Sequence, residues 1–493
     1  MVRGGWCIRV GVSWMARKHL VVVVPGIGGS VLERAGDVLW DAGFESVARL
    51  GLAGHWLSLA EAPALRPTGL IRSRAVVPGW TVVCGYDRLM ASLGKLPGAV
   101  VDGGHPDERV PDANVVAFPY DFRTSIADAA ERLAGDVAAR LSALGGTGEA
   151  GRVIVVAHSM GGLVARYWMG PLGGWRVCRA LITLGTPHRG APKALDWVVG
   201  GVRVGGRVWQ GVTDLFREWP SVMELLPRYP AVWDETTGTA LYPHELPVEW
   251  LRPAAVKAFA VHQDIEAAWE HVPPSGPEFV PRIGWSHPTL DAAFWDGNRL
   301  RMVKQVPSWL SAPGWEQDRG DGTVPAVSAL PVGLENWAVS VSGIRVPERH
   351  GRLTFASGMV QEIAARVHDY EGRPRPDPGR AYRDAGEQGA AIGLDVDELH
   401  ARGEAIPLRV SLRGVEGEVR DVVVAAVLRL VSGPGTAGDI GGPVRLWWDA
   451  AARCFSGAVT AAQAGIYDLV VTAEAVPGAG DLTVAESVAV IDP

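Results

Sequence analysis

The sequence predicts an α/β fold interrupted by two insertions, followed by a C-terminal all-β sandwich of immunoglobulin-like type. Three observations lead there. Apolar strand patterns at 19–24, 114–118, 153–157 and 180–185 are interleaved with helical patterns as far as about residue 370. One of these strands runs through a sharp turn into a helix, with a single serine, Ser159, at the junction. Beyond residue 392 only short alternating strands remain, divided by turn residues.

The strand Val153 to Ala157 is uniformly apolar, as a central parallel strand must be when both of its faces are covered. Leu163 to Met169 then reads as a helix, so Ser159 occupies a nucleophile elbow, with small residues two before it (Ala157) and two after it (Gly161). Ser159 is the only serine in the chain with Ala or Gly at minus two and Gly at plus two.

Composition bounds the rest. With 493 residues and an apolar share of 47%, the chain can build two to three domains around a large core. Its 47 Lys and Arg against 54 Asp and Glu leave a net charge of −7 without a long run of one sign, which argues against a nucleic-acid partner. Cys7, Cys84, Cys178 and Cys454 show no metal-binding spacing and no disulfide framework, so a reducing compartment and no metal or other cofactor are expected. Residues 1–18 place Arg3, Arg9, Arg17 and Lys18 around short apolar pieces, too interrupted for a secretory signal. They read as an N-terminal extension of a cytoplasmic protein, and no stretch reaches transmembrane length.

In chain order, the strand His19 to Val24 meets the glycine-rich turn Pro25-Gly26-Ile27-Gly28-Gly29-Ser30. Val31 stands where a dinucleotide fingerprint needs its last glycine, so the turn reads instead as half of an oxyanion hole. Acyl transfer needs two backbone N–H groups aimed at the developing oxyanion; the candidates are Ile27 or Gly28 here and Met160 after the elbow serine. Residues 36–80 are rich in apolar side chains (Trp40, Phe44, Trp56, Leu57, Leu59, Trp80) and form a candidate lid, with membrane-surface contact or ordinary packing as its two readings. Asp121 and Arg123 are expected to pair and fix their loop. Ser125 reads as the N-cap, with Asp128 three residues on, of a helix with the stripe Ile126, Ala129, Leu133, Val137, Leu141.

After the strand 180–185 comes His188, a lesser candidate for a catalytic base at a strand end better suited to loop structure. Residues 195–300, with eight tryptophans from Trp197 to Trp295, read as a helical cap with an apolar groove. Asp321 in a glycine-flanked loop is the candidate acid, with Asp318 as competitor, and His350 follows a strand expected at 339–346. A serine hydroxyl becomes a useful nucleophile when an imidazole takes its proton and a carboxylate holds that imidazole in one tautomer. The order Ser159, Asp321, His350 suits that chemistry.

The segments Pro25 to Ser30, Pro119-Tyr120-Asp121-Phe122-Arg123, Ala157 to Gly162, Gly185-Thr186-Pro187, Gly320 to Pro325 and His350, in this order over residues 19–370, resemble the lecithin:cholesterol acyltransferase family of α/β-hydrolases. The resemblance implies an acyl-ester or lipid substrate, phospholipase A, lipase or acyltransferase activity, the triad Ser159, Asp321 and His350, and oxyanion amides near Ile27 and Met160. Three departures stand out: Ala157 in place of the usual glycine, no cysteine pair in the lid region, and Phe122 where a tryptophan is common. A short-chain carboxylesterase and a catalytically silent binding protein of the same shape are the alternatives.

Residues 371–392, with Arg-Pro-Arg-Pro-Asp-Pro and then Gly- and Ala-rich sequence, read as a linker to a sandwich at 393–493. Ala464-Gly465-Ile466-Tyr467 resembles a tyrosine corner. The module carries no catalytic constellation, and it is expected to be a separable unit with a protein partner or a packing role.

Overall fold

The computed structural model describes residues 19–43, 54–62, 64–77, 80–83, 85–145, 151–204, 207–273, 276–310, 320–332, 345–372, 390–415, 417–432, 438–439 and 441–492. The N-terminal extension, Phe44, Asp318, and most of the expected strand at 339–346 and of the linker lie outside these residues.

The described part of residues 19–372 is built on a seven-stranded sheet. Its strands are β1 (Leu20–Val24), β2 (Val101–Asp102), β3 (Val115–Ala117), β4 (Val153–His158), β5 (Cys178–Leu184), β6 (Glu278–Gly284) and β7 (Arg345–Val346), in the order β7-β6-β5-β4-β1-β3-β2. All six pairings are parallel. The unbroken Leu-Val-Val-Val-Val of β1 follows from its place beside β4, because helices cover both faces there and no position needs a polar side chain. Leu20, Val22 and Val24 join a core with Ile126 and Leu133 of α2 (Ile126–Ala143) and Leu163 of α3 (Met160–Met169). Val21 and Val23 join a second core with Leu89 of α1 (Asp87–Gly94) and Ile363 of the later helix Ser357–Gly372.

The expected local features of the first half are present. The Ser125 side chain accepts the amide of Asp128 at 3.1 Å, which caps α2. Arg123 is fully buried, donates to both carboxylate oxygens of Asp121 and also bonds the carbonyls of Leu57 and Ala62. It therefore ties the insertion after β1 to the core. That insertion contains a small antiparallel sheet of Ser30–Arg34, Asp37–Trp40 and Arg66–Leu70, and Leu57 lies fully buried in the main core.

The proposed cap needs a correction at its end. Residues 278–284, read from sequence as cap, form β6 of the central sheet, and residues 232–303 contribute a four-stranded sheet beside the helix α4 (Leu251–Glu270). The region is therefore mixed rather than helical. Tryptophans such as Trp295 are strand residues packed into the core, and their number carried no information on secondary structure.

The C-terminal part of the chain is a β-sandwich-like unit of β8 (Ala391–Asp395), β9 (Leu399–Ala401), β10 (Ala405–Arg413), β11 (Val423–Ser432), β12 (Val444–Asp449), β13 (Cys454–Thr460), β14 (Gly465–Val476) and β15 (Gly480–Ile491). Their order is β8-β10-β13-β12-β11-β14-β15-β9, with β12 joining the two layers by pairing with both β11 and β13. Alternation drives the folding: Ile406, Leu408 and Val410 point inward between more exposed neighbours, and Tyr467, Leu469 and Val471 point into the same core from β14. The Tyr467 hydroxyl donates to the Gln463 carbonyl at 2.7 Å, the bond that a tyrosine corner makes.

Candidate active site

Ser159 follows β4 at the carboxyl edge of the sheet, where the ends of parallel strands place loops that bind ligands. Its backbone sits at φ 52°, ψ −129°, a conformation that costs an L-residue free energy, and its amide donates to the Leu184 carbonyl at 2.9 Å. The elbow is possible only because its neighbours lack side chains. A Cβ on Gly26 would lie 2.7 Å from the Ser159 Cβ, and one on Gly161 would lie 2.4 Å from the Pro25 carbonyl oxygen. The strand-turn-helix and the glycine turn after β1 are thus fitted to each other.

The structure brings the three polar candidates together. His350 Nε2 is 2.9 Å from Ser159 Oγ, and His350 Nδ1 is 2.7 Å from Asp321 Oδ2. The other carboxylate oxygen of Asp321 accepts the amides of Thr323 at 3.0 Å and Val324 at 2.7 Å, and the His350 amide donates to the Asp321 carbonyl at 3.0 Å. Asp321 is buried and these bonds fix its plane, so Nδ1 carries the proton and Nε2 presents its lone pair to the serine. This arrangement can take the proton of Ser159 as Oγ attacks.

The other candidates separate. His188 is buried edge-on against Phe279, without hydrogen-bond partners for its ring nitrogens, and burial together with Arg166 and Arg189 holds it well below its usual pKa. It is not in the hydrogen-bonded set around Ser159. Of the oxyanion candidates, Met160 begins α3 directly after the serine, and Ile27 lines the cleft. The Gly28 carbonyl accepts the indole N–H of Trp40 at 2.8 Å, which holds the turn.

The cleft over Ser159 and His350 has a volume of about 390 Å³ and is lined mainly by apolar groups, among them Ile27, Pro187, Ala194, Trp197 and Leu225. Sequence reasoning missed four contributors. His158 and Tyr86 hydrogen-bond beneath the elbow, His287 bonds the chain at Gly320, and Arg349, next to His350, is anchored on the Leu394 carbonyl. His158 was visible as a polar residue inside an otherwise apolar strand; the others carry no local signal. The described residues hold no group of three or more His, Cys, Asp or Glu placed to bind a metal, and no described helix is long and apolar enough to cross a membrane.

Two of three comparisons with known proteins give matches. The crystal structure of a Tle4-Tli4 complex aligns at 14% identity with a TM-score of 0.43, covering 71% of this chain and 98% of that one. The Bacillus licheniformis lipase BlEst2 in propeptide form aligns at 9% identity and a TM-score of 0.33, covering 95% and 93%. No curated protein matches the sequence. Residues 109–247, which include the elbow, match the model of the lecithin:cholesterol acyltransferase family, so this part of the chain is similar to that family.

Proposed function

We propose that the protein is a serine hydrolase or acyltransferase that acts on acyl esters of lipids through a covalent acyl-enzyme. The observation that carries this reading is the continuous hydrogen-bond path Ser159–His350–Asp321 at a strained elbow, opening on an apolar cleft. In the first half-reaction His350 Nε2 takes the Ser159 proton while Oγ bonds to the ester carbonyl carbon. The oxyanion forms where the N–H groups of Met160 and Ile27 can stabilise it, and His350 returns the proton to the departing alcohol oxygen. Water or a second alcohol then loses its proton to His350 and attacks the acyl carbon; the bond from that carbon to Ser159 Oγ breaks, and His350 returns the proton to Oγ. Asp321 stays ionised throughout and stabilises the imidazolium.

The apolar lining supports a longer acyl chain over acetate, since remote binding energy can be used at the reacting carbonyl. A fluorophosphonate probe tests the chemistry. Wild type should label and Ser159→Ala should not; an unlabelled wild type favours a silent binding protein. A series of p-nitrophenyl esters tests the substrate class: kcat/KM should rise with chain length, and a maximum at acetate would make this a short-chain esterase.

A further inference from the structure

The residue before the candidate base is held by the C-terminal unit. Arg349 is buried, its Nη1 donates to the Leu394 carbonyl at 2.6 Å, its Nη2 to the Val396 carbonyl at 3.3 Å, and its Nε pairs with Glu486. All three partners belong to the β-sandwich. Glu486 faces Leu469 across the β14–β15 ladder, on the inward face of that sheet, so the guanidinium reaches into the end of the sandwich.

The acid loop is held from the same side. The Leu394 amide donates to His287 Nδ1 at 3.1 Å, and His287 exchanges backbone hydrogen bonds with Gly320, next to Asp321. Glu398 Oε1 lies 2.8 Å from Lys193 Nζ and 3.3 Å from Thr323 Oγ1, and the Thr323 amide in turn bonds the Asp321 carboxylate.

The outward face of the same sheet closes the cleft. Ile466 and Ala489 are register partners on β14 and β15, opposite in facing to the core residues Tyr467 and Val488, and both line the cavity with Ser159 and His350.

We propose that the sandwich is a working part of the active site: it positions His350 through Arg349 and sets acyl-chain preference through the wall at Ile466 and Ala489. The proposal rests on the serine-hydrolase reading above. Positioning on this scale matters because a displacement of about 1 Å between reacting groups costs roughly 10²-fold in rate.

The test uses the full chain, counts active sites by fluorophosphonate titration, and measures kcat and KM on p-nitrophenyl butyrate and laurate. Arg349→Met and Glu486→Gln should lower kcat per titrated site by roughly 10- to 100-fold on both esters while KM stays within about twofold. Arg349→Lys, which can still reach a carbonyl, should recover part of the loss. Ala489→Trp should lower the laurate-to-butyrate ratio of kcat/KM by about tenfold.

Where Arg349→Met does not fold, Glu486→Gln, nearly isosteric, decides the positioning claim. Wild-type kcat per titrated site in a folded Arg349 or Glu486 variant, or an unchanged ester ratio in Ala489→Trp, overturns the proposal. A wild type that takes no label sinks the hydrolase reading and this proposal with it; a labelled wild type with unaffected variants sinks this proposal alone.

Discussion

The hydroxyl of Tyr86 lies 2.8 Å from Nδ1 of His158 and accepts the Gly26 amide at 2.9 Å. Having taken that donor, the phenol gives its own proton to Nδ1. His158 therefore carries its proton on Nε2 and donates it to the His350 carbonyl at 3.1 Å. Burial, with His350 beside it, pushes the His158 pKa down to about 3, so the ring is neutral whenever the chain is folded near neutral pH. One buried path thus joins the glycine turn after β1, the strand that carries Ser159 and the loop that carries His350.

Tyr86→Phe should break that path at little cost in volume. It leaves the Gly26 N–H and His158 Nδ1 without their partner, and an unsatisfied buried group costs about 1–3 kcal/mol. An unfolding free energy lowered by that amount in a denaturant titration is expected, together with a fall in kcat per titrated site of about tenfold, since the turn bearing Ile27 loses its anchor. Unchanged stability would mean that water replaces the phenol and that the path does not order the site.

His350→Ala should cost about 10³-fold or more in turnover while leaving the fold intact, because the imidazole, 15% exposed, lines the cleft rather than the apolar core. Asp321→Asn should cost about as much: the amides of Thr323 and Val324 can still be satisfied by the side-chain oxygen, which turns an N–H toward His350 and selects the wrong tautomer. Near-normal turnover in either variant would move the base or the acid elsewhere. Steady-state hydrolysis of a p-nitrophenyl ester, with circular dichroism to verify folding, makes the measurement.

How much of this was legible in the sequence follows from how local each signal is. The elbow was readable because β4, the turn and α3 are contiguous, and β1 was readable because a strand covered on both faces has an unbroken apolar run. The pairing of Asp121 with Arg123 and the Ser125 cap also fall within a few residues. The Ser159–Asp321–His350 set was named from chain order, although its members come from loops far apart in the chain. Strand β6 was hidden because its Phe-Val-Pro-Arg-Ile-Gly is too polar and too broken by proline to read as a central strand. Tyr86, His287 and Arg349 were invisible for a different reason. Each acts by a hydrogen bond across at least 33 residues of chain, and nothing in the flanking sequence marks the partner.

Acid should destabilise the protein through its buried histidines. Burial pushes His158 and His287 down to about 3 and His262 to about 4, against roughly 6.5 in the unfolded chain. The unfolded state then binds the extra protons, so stability is complete above about pH 6.5 and falls as pH drops toward the folded values. Each histidine contributes a slope of about 1.4 kcal/mol per pH unit in that window. His287→Asn, which keeps an acceptor available for the Leu394 amide, should reduce the slope of unfolding free energy between pH 6.5 and 4 by about that amount. An unaltered slope would show that His287 is charged in the folded state.

Removal of the sandwich should disable the enzyme, although the shift in composition at 371–392 suggests a unit that can be cut away. A chain ending at residue 385 retains Ser159, Asp321 and His350, yet it deletes every sandwich group that holds their loops: the carbonyls of Leu394 and Val396, the Glu486 carboxylate, the Leu394 amide and Glu398. It also strips the cleft of Ile466 and Ala489 and uncovers the apolar contact in which Trp209 of the cap packs beside Leu399, Ala401 and Ile491. Freed of these restraints, the His350 loop gains conformations in which Nε2 no longer faces Oγ, and newly exposed apolar surface favours association. The expected product is either insoluble or, if soluble and folded by circular dichroism, slower by about 10²-fold even on p-nitrophenyl acetate, an ester too small to need the sandwich wall. A soluble truncated protein with wild-type turnover on that ester would mean that the part before residue 385 orders its own loops, and that the contacts to Arg349 and His287 only dock a dispensable module.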